Sequence, residues 1–442
     1  MKIGLERIAE KSRLDCNLRF TSLAHHITGE RLAKNLNLMK SGTGSGIDKE
    51  SKFEAQRSFN TWSKEMIIAI HRKGYKPPPV RRVFIPKPGK VEKRPIGVPT
   101  VRDRCLQRSV SEVLSAIYEQ DFLKFSFGGR HNRSAHHALG YLTQRISNRK
   151  VSWVYEADLK NFFGSLDHGW LEKFVSHRVG DPRILTLIKR WLKAGVMIDD
   201  KKESSEVGSP QGGSISVVLS NIYLHYVLDL WFSKVVKPRL KGEAYLCRYL
   251  DDFVVCFQYK SDATRFERSL KHRLSKFSLE LEPSKTRLIP FGKFSARDAN
   301  ERGYKKPPVV SFLGFTLYGT RLPWGYWGVV LKPQSSRVSR FLNRLKEVMR
   351  WNRHLPLREQ AKAINSRLRG FVNYFGLPMT SGIHRAIRNV CIRYWRKMLS
   401  SRSQSGRINW DRFSKILKFH PIPYNKLPFT YDKWISFSVS VN

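Results

Sequence analysis

Cysteine is scarce in this chain, and long apolar runs are missing from it. The five cysteines, at positions 16, 105, 247, 256 and 391, form no C-x-x-C pair, which argues against zinc ribbons and a disulfide framework and favours a reducing compartment. No stretch reaches the roughly 20 uncharged residues of a membrane-spanning helix, and the amino terminus lacks the apolar segment of a signal peptide. These shortages predict a cytoplasmic protein without a membrane partner.

Acidic residues are also few. Against 36 Asp and Glu stand 81 Lys and Arg, for a formal net charge of +45 over 442 residues. Such a charge opposes a compact fold unless an anionic partner neutralises it, and nucleic acid is the leading partner. Aromatics make up 12% of the chain and are interleaved with the basic residues, which suits a groove that follows phosphates. A generally basic protein of the ribosomal kind is the alternative.

The most informative stretch is 244–257, where two apolar, β-prone runs flank the adjacent carboxylates Asp251 and Asp252. This pattern predicts a hairpin with the acidic pair at its tip. Neighbouring carboxylates repel each other, so they need solvent or a cation, and their hard oxygen atoms suit Mg²⁺ better than zinc. An Asp-Asp pair taken alone is more often a solvated turn, so the rest of the chain has to decide.

A third carboxylate, Asp158, follows an apolar run at 151–157 that predicts a strand. One carboxylate from a strand end and two from a hairpin tip form a ligand set for two Mg²⁺ ions in nucleotidyl transfer, with Mn²⁺ as a substitute. The sequence therefore predicts Asp158, Asp251 and Asp252 as catalytic, metal-binding residues.

Three further segments predict contacts with an incoming nucleotide. Lys87 and Arg94 lie at a basic Pro/Gly turn between two strands, where their charges would clamp a triphosphate; a solvated basic loop is an equally weighted alternative. Phe163, five residues after Asp158, would lie under the sugar and collide with a 2′-OH, although a core aromatic is the commoner outcome. Lys285 would neutralise or protonate the leaving phosphate.

The Gly-rich segment 208–214 precedes an apolar stretch, 215–232, that predicts a helix. Free N–H groups at the amino end of a helix favour a phosphate or a nearby base pair, and Gln211 is predicted to contact template or nucleotide. The residues predicted to lie near primer or template are Arg82, Arg130, Gly212, Leu250 and Gly314.

The remaining pattern predicts an α+β protein. Helices are expected over 1–40, 53–72, 102–122, 261–277 and 335–400, and a single strand over 309–317. The helices at 335–400 are dense in Arg and Lys, which predicts a basic face that grips a duplex. The last forty or so residues are rich in aromatics and proline and receive no predicted role.

These segments resemble, in order along the chain, the group II intron-encoded reverse transcriptases and their intron-free bacterial relatives. The motifs that carry the resemblance are 46–48, 81–87, 94–99, the Asp158 strand, 208–213, 249–252, 281–286, 312–314 and 369–375. The resemblance implies a right-hand polymerase in a bacterial cytoplasm. Its parts are an amino-terminal extension at 1–75, fingers and palm at 76–320, and a helical thumb or maturase-like domain at 321–442.

The same resemblance implies an enzyme that uses Mg²⁺ to copy RNA, and often DNA, into DNA. Its partners would be an RNA template, a DNA or RNA primer and dNTPs, with intron RNA as a further candidate. By position, the family's metal ligands correspond to Asp158, Asp251 and Asp252, its 2′-OH gate to Phe163, and its nucleotide-contacting fingertip to Lys87 and Arg94.

Several differences from the family pattern bear on the biological role. Leu250 stands where intron-encoded members usually carry Ala, Gly164 where they carry Asp, and 217–219 read Val-Val-Leu in place of Pro-Leu-Leu. The Cys/His cluster of an HNH endonuclease is not found after Cys391, which weighs against homing. The metal ligands remain, so the leading hypothesis is an RNA-directed DNA polymerase, with domestication for DNA repair or antiviral defence as a candidate role. The alternatives are an RNA-binding maturase and a non-catalytic basic RNA-binding protein.

Overall fold

The computed structural model describes residues 4–86, 92–194, 196–198, 201–203, 213–301, 303, 307–323, 325–403, 406–424 and 426–439. Helices alternate with three sheets in this part of the chain, in agreement with the predicted mixture of α and β structure. No helix among these residues is long and apolar enough to cross a bilayer. Lys87, Gln211 and Gly212, which the sequence singled out, lie outside the described residues.

The amino-terminal part is helical and packs beside one long helix, α5. Its helices are α1 Glu6–Leu14, α2 Gly29–Asn37, α3 Lys52–Arg57, α4 Phe59–His71 and α5 Val101–Asp121. The helix expected over 1–40 is interrupted between Leu14 and Gly29, and in this segment Asp181 accepts hydrogen bonds from the N–H groups of Leu23 and Ala24, at 2.7 and 2.9 Å. The helix expected over 53–72 breaks at Ser58, where α3 ends and α4 begins.

The first sheet, called the N-terminal sheet, contains the predicted basic hairpin. Its strands are β1 Val80–Pro86, β2 Lys93–Val98, β4 Val196–Ile198 and β5 Lys201–Glu203, in the order β2-β1-β4-β5. Strands β1 and β2 are antiparallel, with Ile85 opposite Arg94. Arg94 is therefore at the tip end of the hairpin, as predicted.

The second sheet, called the central sheet, carries the acidic residues. It consists of β6 Ala244–Tyr249, β7 Asp252–Phe257, β3 Trp153–Ala157 and β8 Arg287–Pro290, all antiparallel and in that order. The helices around it are α6 Ala135–Asn148, α7 His168–Arg178, α8 Pro182–Lys193, α9 Ser216–Leu224 and α10 Lys260–Ser275. The expected strands and the helix at 261–277 are confirmed to within a few residues.

Alternation along the strands gives the central sheet two buried faces. On one face Tyr155 and Phe257 contact Phe266 of α10, with ring centroids 5.7 and 5.3 Å apart. On the other face Val154 and Val254 belong to a separate buried cluster with α6 and the third sheet. Because the side-chain period is two, Glu156 and Asp252 project on this second face, where the cleft described below is located.

The third sheet, called the small sheet, corrects the strand expected over 309–317. It contains β9 Val310–Phe312, β10 Phe315–Arg321 and β11 Trp327–Pro333, and β9 pairs antiparallel with β10. Leu313 and Gly314 form a two-residue turn with φ angles of 49° and 81°. Positive φ at both central residues is typical of a tight hairpin turn, and Gly314 adopts it without steric cost.

The helix predicted over 215–232 begins as α9 and changes character after Leu224. Two wider, π-helical turns follow, at His225–Asp229 and Phe232–Val236. Such turns are rare and often occur at functional sites. They change the direction in which the side chains beyond Leu224 point.

The carboxyl-terminal helices form a bundle of their own, and they confirm the helices predicted over 335–400. They are α12 Ser335–Trp351, α13 Leu357–Phe375, α14 Ser381–Ser400 and α15 Trp410–Phe419, after a short α11 Ser295–Glu301 earlier in the chain. The final helix, α16 Tyr431–Val439, leaves the bundle and packs on α6. Its Trp434 is buried and donates a hydrogen bond from Nε1 to the carbonyl of His136.

Candidate active site

The acidic pair lies at the end of the β6–β7 hairpin. Tyr249 pairs with Asp252, so Leu250 and Asp251 form a two-residue turn. Leu250 has a φ of 56°, a conformation that glycine usually adopts in such turns. The prediction of a hairpin with the aspartates at its tip is confirmed, and the strained residue is the one that precedes the first aspartate.

Asp158 joins this pair because β3 is the neighbour of β7. Ala157 lies opposite Phe253, and Asp158 follows directly. The chain beyond Asp158 is held by the 280–285 segment: Glu282 N donates to Asp158 O at 2.8 Å, and Lys160 N donates to Glu280 O at 2.9 Å. The same pairing brings the Lys285 ammonium onto the Asp158 carboxylate, where the two form an ion pair.

The three carboxylates affect one another. Loss of solvent contact and the charge of Asp158 raise the pKa of Asp251 above its usual value, while Arg94 and Lys285 oppose that shift. Loss of solvent contact, a hydrogen bond with Asp158 and the charge of Asp251 raise the pKa of Asp252. The site is therefore short of positive charge. Arg94, predicted at the nucleotide site, is near enough to act on Asp251.

Lys285 supplies part of the missing charge. Partial burial lowers its pKa, but the hydrogen bond and charge of Asp158, with the charge of Asp252, outweigh that effect, so the pKa of Lys285 lies above its usual value. Lys285 thus supplies positive charge to the acidic residues in this arrangement, and both of its predicted roles, neutralisation and protonation of a leaving phosphate, stay predictions.

A cleft of about 930 Å³ opens over the acidic residues. Asp158, Asp252 and Lys285 line one side of it. The opposite side is formed by the Leu313–Gly314 turn, by α12 and by α13. Three arginines of α12 line the cleft at spacings of three and four residues, which puts them on one face of the helix: Arg337, Arg340 and Arg344.

The small-sheet turn is fastened to α12 and α13. Tyr374 donates a hydrogen bond from Oη to the carbonyl of Leu313 at 2.9 Å, and a Cβ on Gly314 would lie 3.6 Å from Nε of Arg337. Gly314 thus lines the cleft, a location that is compatible with its predicted place near a primer. The role of Tyr374 was not predicted from the sequence, since nothing in a Tyr-Phe pair identifies a partner sixty residues away.

Other predicted contacts lie elsewhere. Arg130 is buried; its guanidinium donates to Glu119 at 3.0 Å and to the carbonyls of Leu123 and Ser126 at 2.8 and 2.9 Å. These contacts hold a loop in place and leave little for a template phosphate. Arg82 is half-buried on β1, opposite Gly97, and does not line the cleft.

Leu250 and Phe163 face protein. The Leu250 side chain packs on the loop at Gly128 and Gly129, since a Cβ on Gly128 would lie 2.8 Å from Leu250 Cγ. Phe163 is half-buried beside Phe162, with ring centroids 5.4 Å apart. The Leu250 side chain is thus occupied by protein contacts, and its predicted place near a primer stays a prediction.

Gly164, the second difference from the family pattern, has a local explanation. Asn161 adopts a left-handed conformation with φ of 45°, and its side chain fills the space beside Gly164. A Cβ at Gly164 would lie 2.4 Å from Asn161 Nδ2. In the loop after Asp158, the Asn161 side chain therefore occupies the space that a side chain at position 164 would need.

Comparison with known sequences decides the family. The profile described as reverse transcriptase (RNA-dependent DNA polymerase) matches residues 85–317, more than half of the chain. The chain belongs to the reverse transcriptase family. A second profile, described as the group II intron maturase-specific domain, matches residues 338–415, which include two of the three cleft arginines of α12, Arg340 and Arg344. The match places this reverse transcriptase with those of group II introns, as the sequence motifs predict.

Relatives of this reverse transcriptase include proteins of bacteria and fungi. Protein YkfC of Escherichia coli (strain K12) is 33% identical over 282 residues, which cover 56% of this chain and 74% of that protein. The group II intron-encoded protein LtrA of Lactococcus lactis subsp. cremoris is 32% identical over 236 residues, 51% of this chain and 38% of LtrA. An uncharacterized 91 kDa protein in a cob intron of Schizosaccharomyces pombe is 37% identical over 147 residues, 33% of this chain and 18% of that protein.

Proposed function

We propose that this chain adds dNTPs to a primer 3′ end on an RNA template, with Asp158, Asp251 and Asp252 holding two Mg²⁺ ions. The observation that carries the proposal is the convergence of these three carboxylates, from β3 and the β6–β7 turn, opposite a row of arginines. Nucleic-acid partners follow from the family. The identity and number of the ions, and the choice of template and primer, are part of the proposal.

The donor set fits a hard divalent cation. Three carboxylates offer only oxygen atoms, which Mg²⁺ and Mn²⁺ prefer. The pKa values of Asp251 and Asp252 are raised, so added positive charge would stabilise the ionised forms of these two carboxylates. Among the described residues no three acidic, His or Cys side chains are gathered closely enough to form a ready-made metal cage, and Lys285 is paired with Asp158. A cation would therefore compete with Lys285 for that carboxylate.

When bound, such ions make the primer hydroxyl a better nucleophile and neutralise the triphosphate. The residues of this chain bind and orient the reactants. Arg94 and Lys285 bring positive charge to the acidic pair, where a triphosphate requires it. Lys87, which lies outside the described residues, is proposed to do the same. Gln211 is proposed to contact template or nucleotide, and Gly212 primer or template. Gly314 leaves room for the primer end.

The architecture supports a right hand. We assign residues 1–75 to an amino-terminal extension, 76–320 to fingers and palm, and 321–442 to a thumb or maturase-like domain. The N-terminal sheet would then be the fingers, the central sheet the palm, and α12 to α15 the thumb. In this assignment the cleft between the central sheet and α12 holds the primer–template duplex.

A second role is favoured by the maturase-specific match at 338–415 and by the printed name of LtrA, a group II intron-encoded protein. This role is the binding of intron RNA in support of splicing. Because the chain spans 38% of LtrA, that activity is a separate proposal. A domesticated role in DNA repair or antiviral defence is a third possibility for the same polymerase.

Primer extension tests the proposal. Purified protein, an RNA template with an annealed DNA primer, dNTPs and Mg²⁺ should give full-length DNA. Chelation with EDTA should stop synthesis, and Mg²⁺ or Mn²⁺ should restore it. Absence of extension with either ion, together with stimulated splicing of a group II intron RNA, would favour the maturase role. Splicing that survives Asp251→Ala would show that any maturase activity is independent of polymerisation.

Sugar selection gives a further prediction. Replacing Phe163 by Val should raise ribonucleotide incorporation relative to deoxynucleotides by roughly 10- to 100-fold, since a steric exclusion of this kind is worth about 1–3 kcal/mol. The measurement is kcat/KM for rNTP and dNTP in single-nucleotide extension. Phe125→Val is the control, because Phe125 is also half-buried and packs against another ring, Phe232. Equal discrimination in the two variants would show that Phe163 is only a core residue.

A further inference from the structure

We propose that Arg248, Asp229 and Asn221 form a buried positioning network that fixes the geometry of the Leu250–Asp251 turn, and through it the placement of the catalytic carboxylates. The inference rests on the proposed function, because it assigns these residues to support of the acidic site. They do not line the cleft, and they act through the backbone of Leu250.

The centre of the network is the guanidinium of Arg248. Arg248 and Asp229 are both fully buried. Nε and Nη2 of Arg248 donate to the two carboxylate oxygens of Asp229, at 2.8 and 2.5 Å. The remaining nitrogen, Nη1, donates to Oδ1 of Asn221 at 2.9 Å and to the carbonyl of Leu250 at 3.2 Å. The bidentate pair thus sets the plane in which Nη1 reaches the turn.

Asn221 extends the network to the other side of the turn. Its Nδ2 donates to the carbonyl of Gly128 at 2.8 Å. Gly128 in turn lies directly on the turn, since a Cβ there would be 2.5 Å from Leu250 N. Any side chain at 128 would displace the hairpin. The turn is held by a hydrogen bond at the Leu250 carbonyl and by close packing at the Leu250 nitrogen.

This restraint has a reason in the backbone of Leu250. A non-glycine residue with φ of 56° costs on the order of 1–3 kcal/mol and persists only where the surroundings determine it. Without the network, the turn would relax toward conformations with negative φ. Asp251 and Asp252 would then move relative to Asp158, because they follow Leu250 directly.

The ion pair itself is not explained by stability. Burying a charge pair costs about as much as the pair returns, and apolar replacements of similar volume are often neutral or stabilising. The pair does orient the guanidinium through directional hydrogen bonds, which apolar side chains cannot form. The π-helical turn at His225–Asp229 fits the same purpose: a wider turn rotates the chain less per residue, and so brings Asp229 round toward Arg248 together with Asn221.

The test replaces the ion pair by apolar side chains of similar volume, which cannot form its directional hydrogen bonds. In the double variant Arg248→Met with Asp229→Leu, we expect the melting temperature to fall by only a few degrees, because removal of the buried charge pair offsets part of the loss of the donor to Asn221 Oδ1 and the Leu250 carbonyl. We expect kcat to fall by roughly 10- to 100-fold and the Mg²⁺ concentration for half-maximal rate to rise by a similar factor, as for other residues that orient metal ligands. KM for primer–template should not change, because the network does not contact the duplex cleft.

A matched control distinguishes the effect of the location of the ion pair beneath the turn from the effect of losing any such ion pair. Buried Arg178 and half-buried Asp121 form another ion pair, at 3.2 Å, and Arg178 contacts Ser12 and Asp15 of the amino-terminal part. Arg178→Met with Asp121→Leu should leave kcat and the Mg²⁺ requirement unchanged. Wild-type kcat and Mg²⁺ dependence in the folded Arg248–Asp229 double variant would overturn the proposal, as would equal losses in both pairs.

Two milder variants test the network if the double variant does not fold. Arg248→Lys keeps the charge and loses the bidentate geometry, and Asn221→Ala removes the link to Gly128. Each should show the same rise in Mg²⁺ requirement at smaller amplitude, and wild-type values in both would refute the network. Asp252→Asn is run in parallel. If the wild-type protein fails to extend a primer, the proposed function fails; if it extends and Asp252→Asn does not, only the network is at issue.

Discussion

Asp252→Asn and Asp251→Ala are each expected to abolish primer extension on an RNA template while nucleic-acid binding persists. Asp252 lines the cleft beside Asp158, and Asp251 is near enough to both to interact with them. Loss of one proposed metal ligand removes several kcal/mol of charge stabilisation from the transition state, which corresponds to a rate loss on the order of 10³-fold or more. Binding should survive because the basic groups that contact phosphates are untouched. The measurements are single-turnover extension and primer–template affinity.

A remote carboxylate serves as the control for this experiment. Asp411 lies in the first turn of α15 and is exposed. Asp411→Asn makes the same chemical change without touching the cleft, so its extension rate should equal that of the wild type. Extension at the wild-type rate in either site variant would remove that residue from the metal site. A parallel loss of duplex binding would mean that the substitution disturbed the fold.

The triple variant Arg337→Ala, Arg340→Ala and Arg344→Ala is expected to weaken primer–template binding by roughly 100-fold. The estimate assumes about 1 kcal/mol for each phosphate contact. Because each neutralised phosphate releases counterions, the slope of log K against log salt should become shallower by about 3. At saturating primer–template, kcat should remain near the wild-type value, which is the opposite of the result expected for the aspartates.

Two basic residues of α10 and the lysine that follows its last residue provide a control with the same charge. Arg268, Lys271 and Lys276 are exposed, and α10 packs on the face of the central sheet opposite the cleft. Their triple replacement by Ala should change affinity and salt slope much less. Similar losses in both triple variants would mean that the duplex is attracted by total charge, without a defined track along α12.

Local features of the site could be predicted from the sequence. The hairpin around Asp251 and Asp252 follows from two β-prone runs that flank a polar pair, and the strand that ends at Asp158 follows from one apolar run. Strand pairing then needs only antiparallel neighbours to bring these carboxylates together. The order of motifs along the chain predicted the family, and the reverse transcriptase match confirms it.

Where prediction from the sequence failed, contacts between distant segments were the cause. The strand expected over 309–317 is a hairpin because Leu313 adopts positive φ and Tyr374 binds its carbonyl. Arg130 is occupied by Glu119 in this fold, although a Gly- and Arg-rich segment predicts a phosphate contact. Neither partner is identifiable from spacing, since each comes from another element.

The sequence by itself determined the acidic residues, the basic helices and the family, because these depend on residue type and on short-range periodicity. Only the tertiary structure decided that Lys285 pairs with Asp158, that the arginines of α12 face the cleft, and that Arg248 and Asp229 lie beneath the Leu250 turn. The physical reason is that a side chain acquires its charge environment and its hydrogen-bond partners from whichever segments pack around it. Those neighbours are set by the packing of the whole chain.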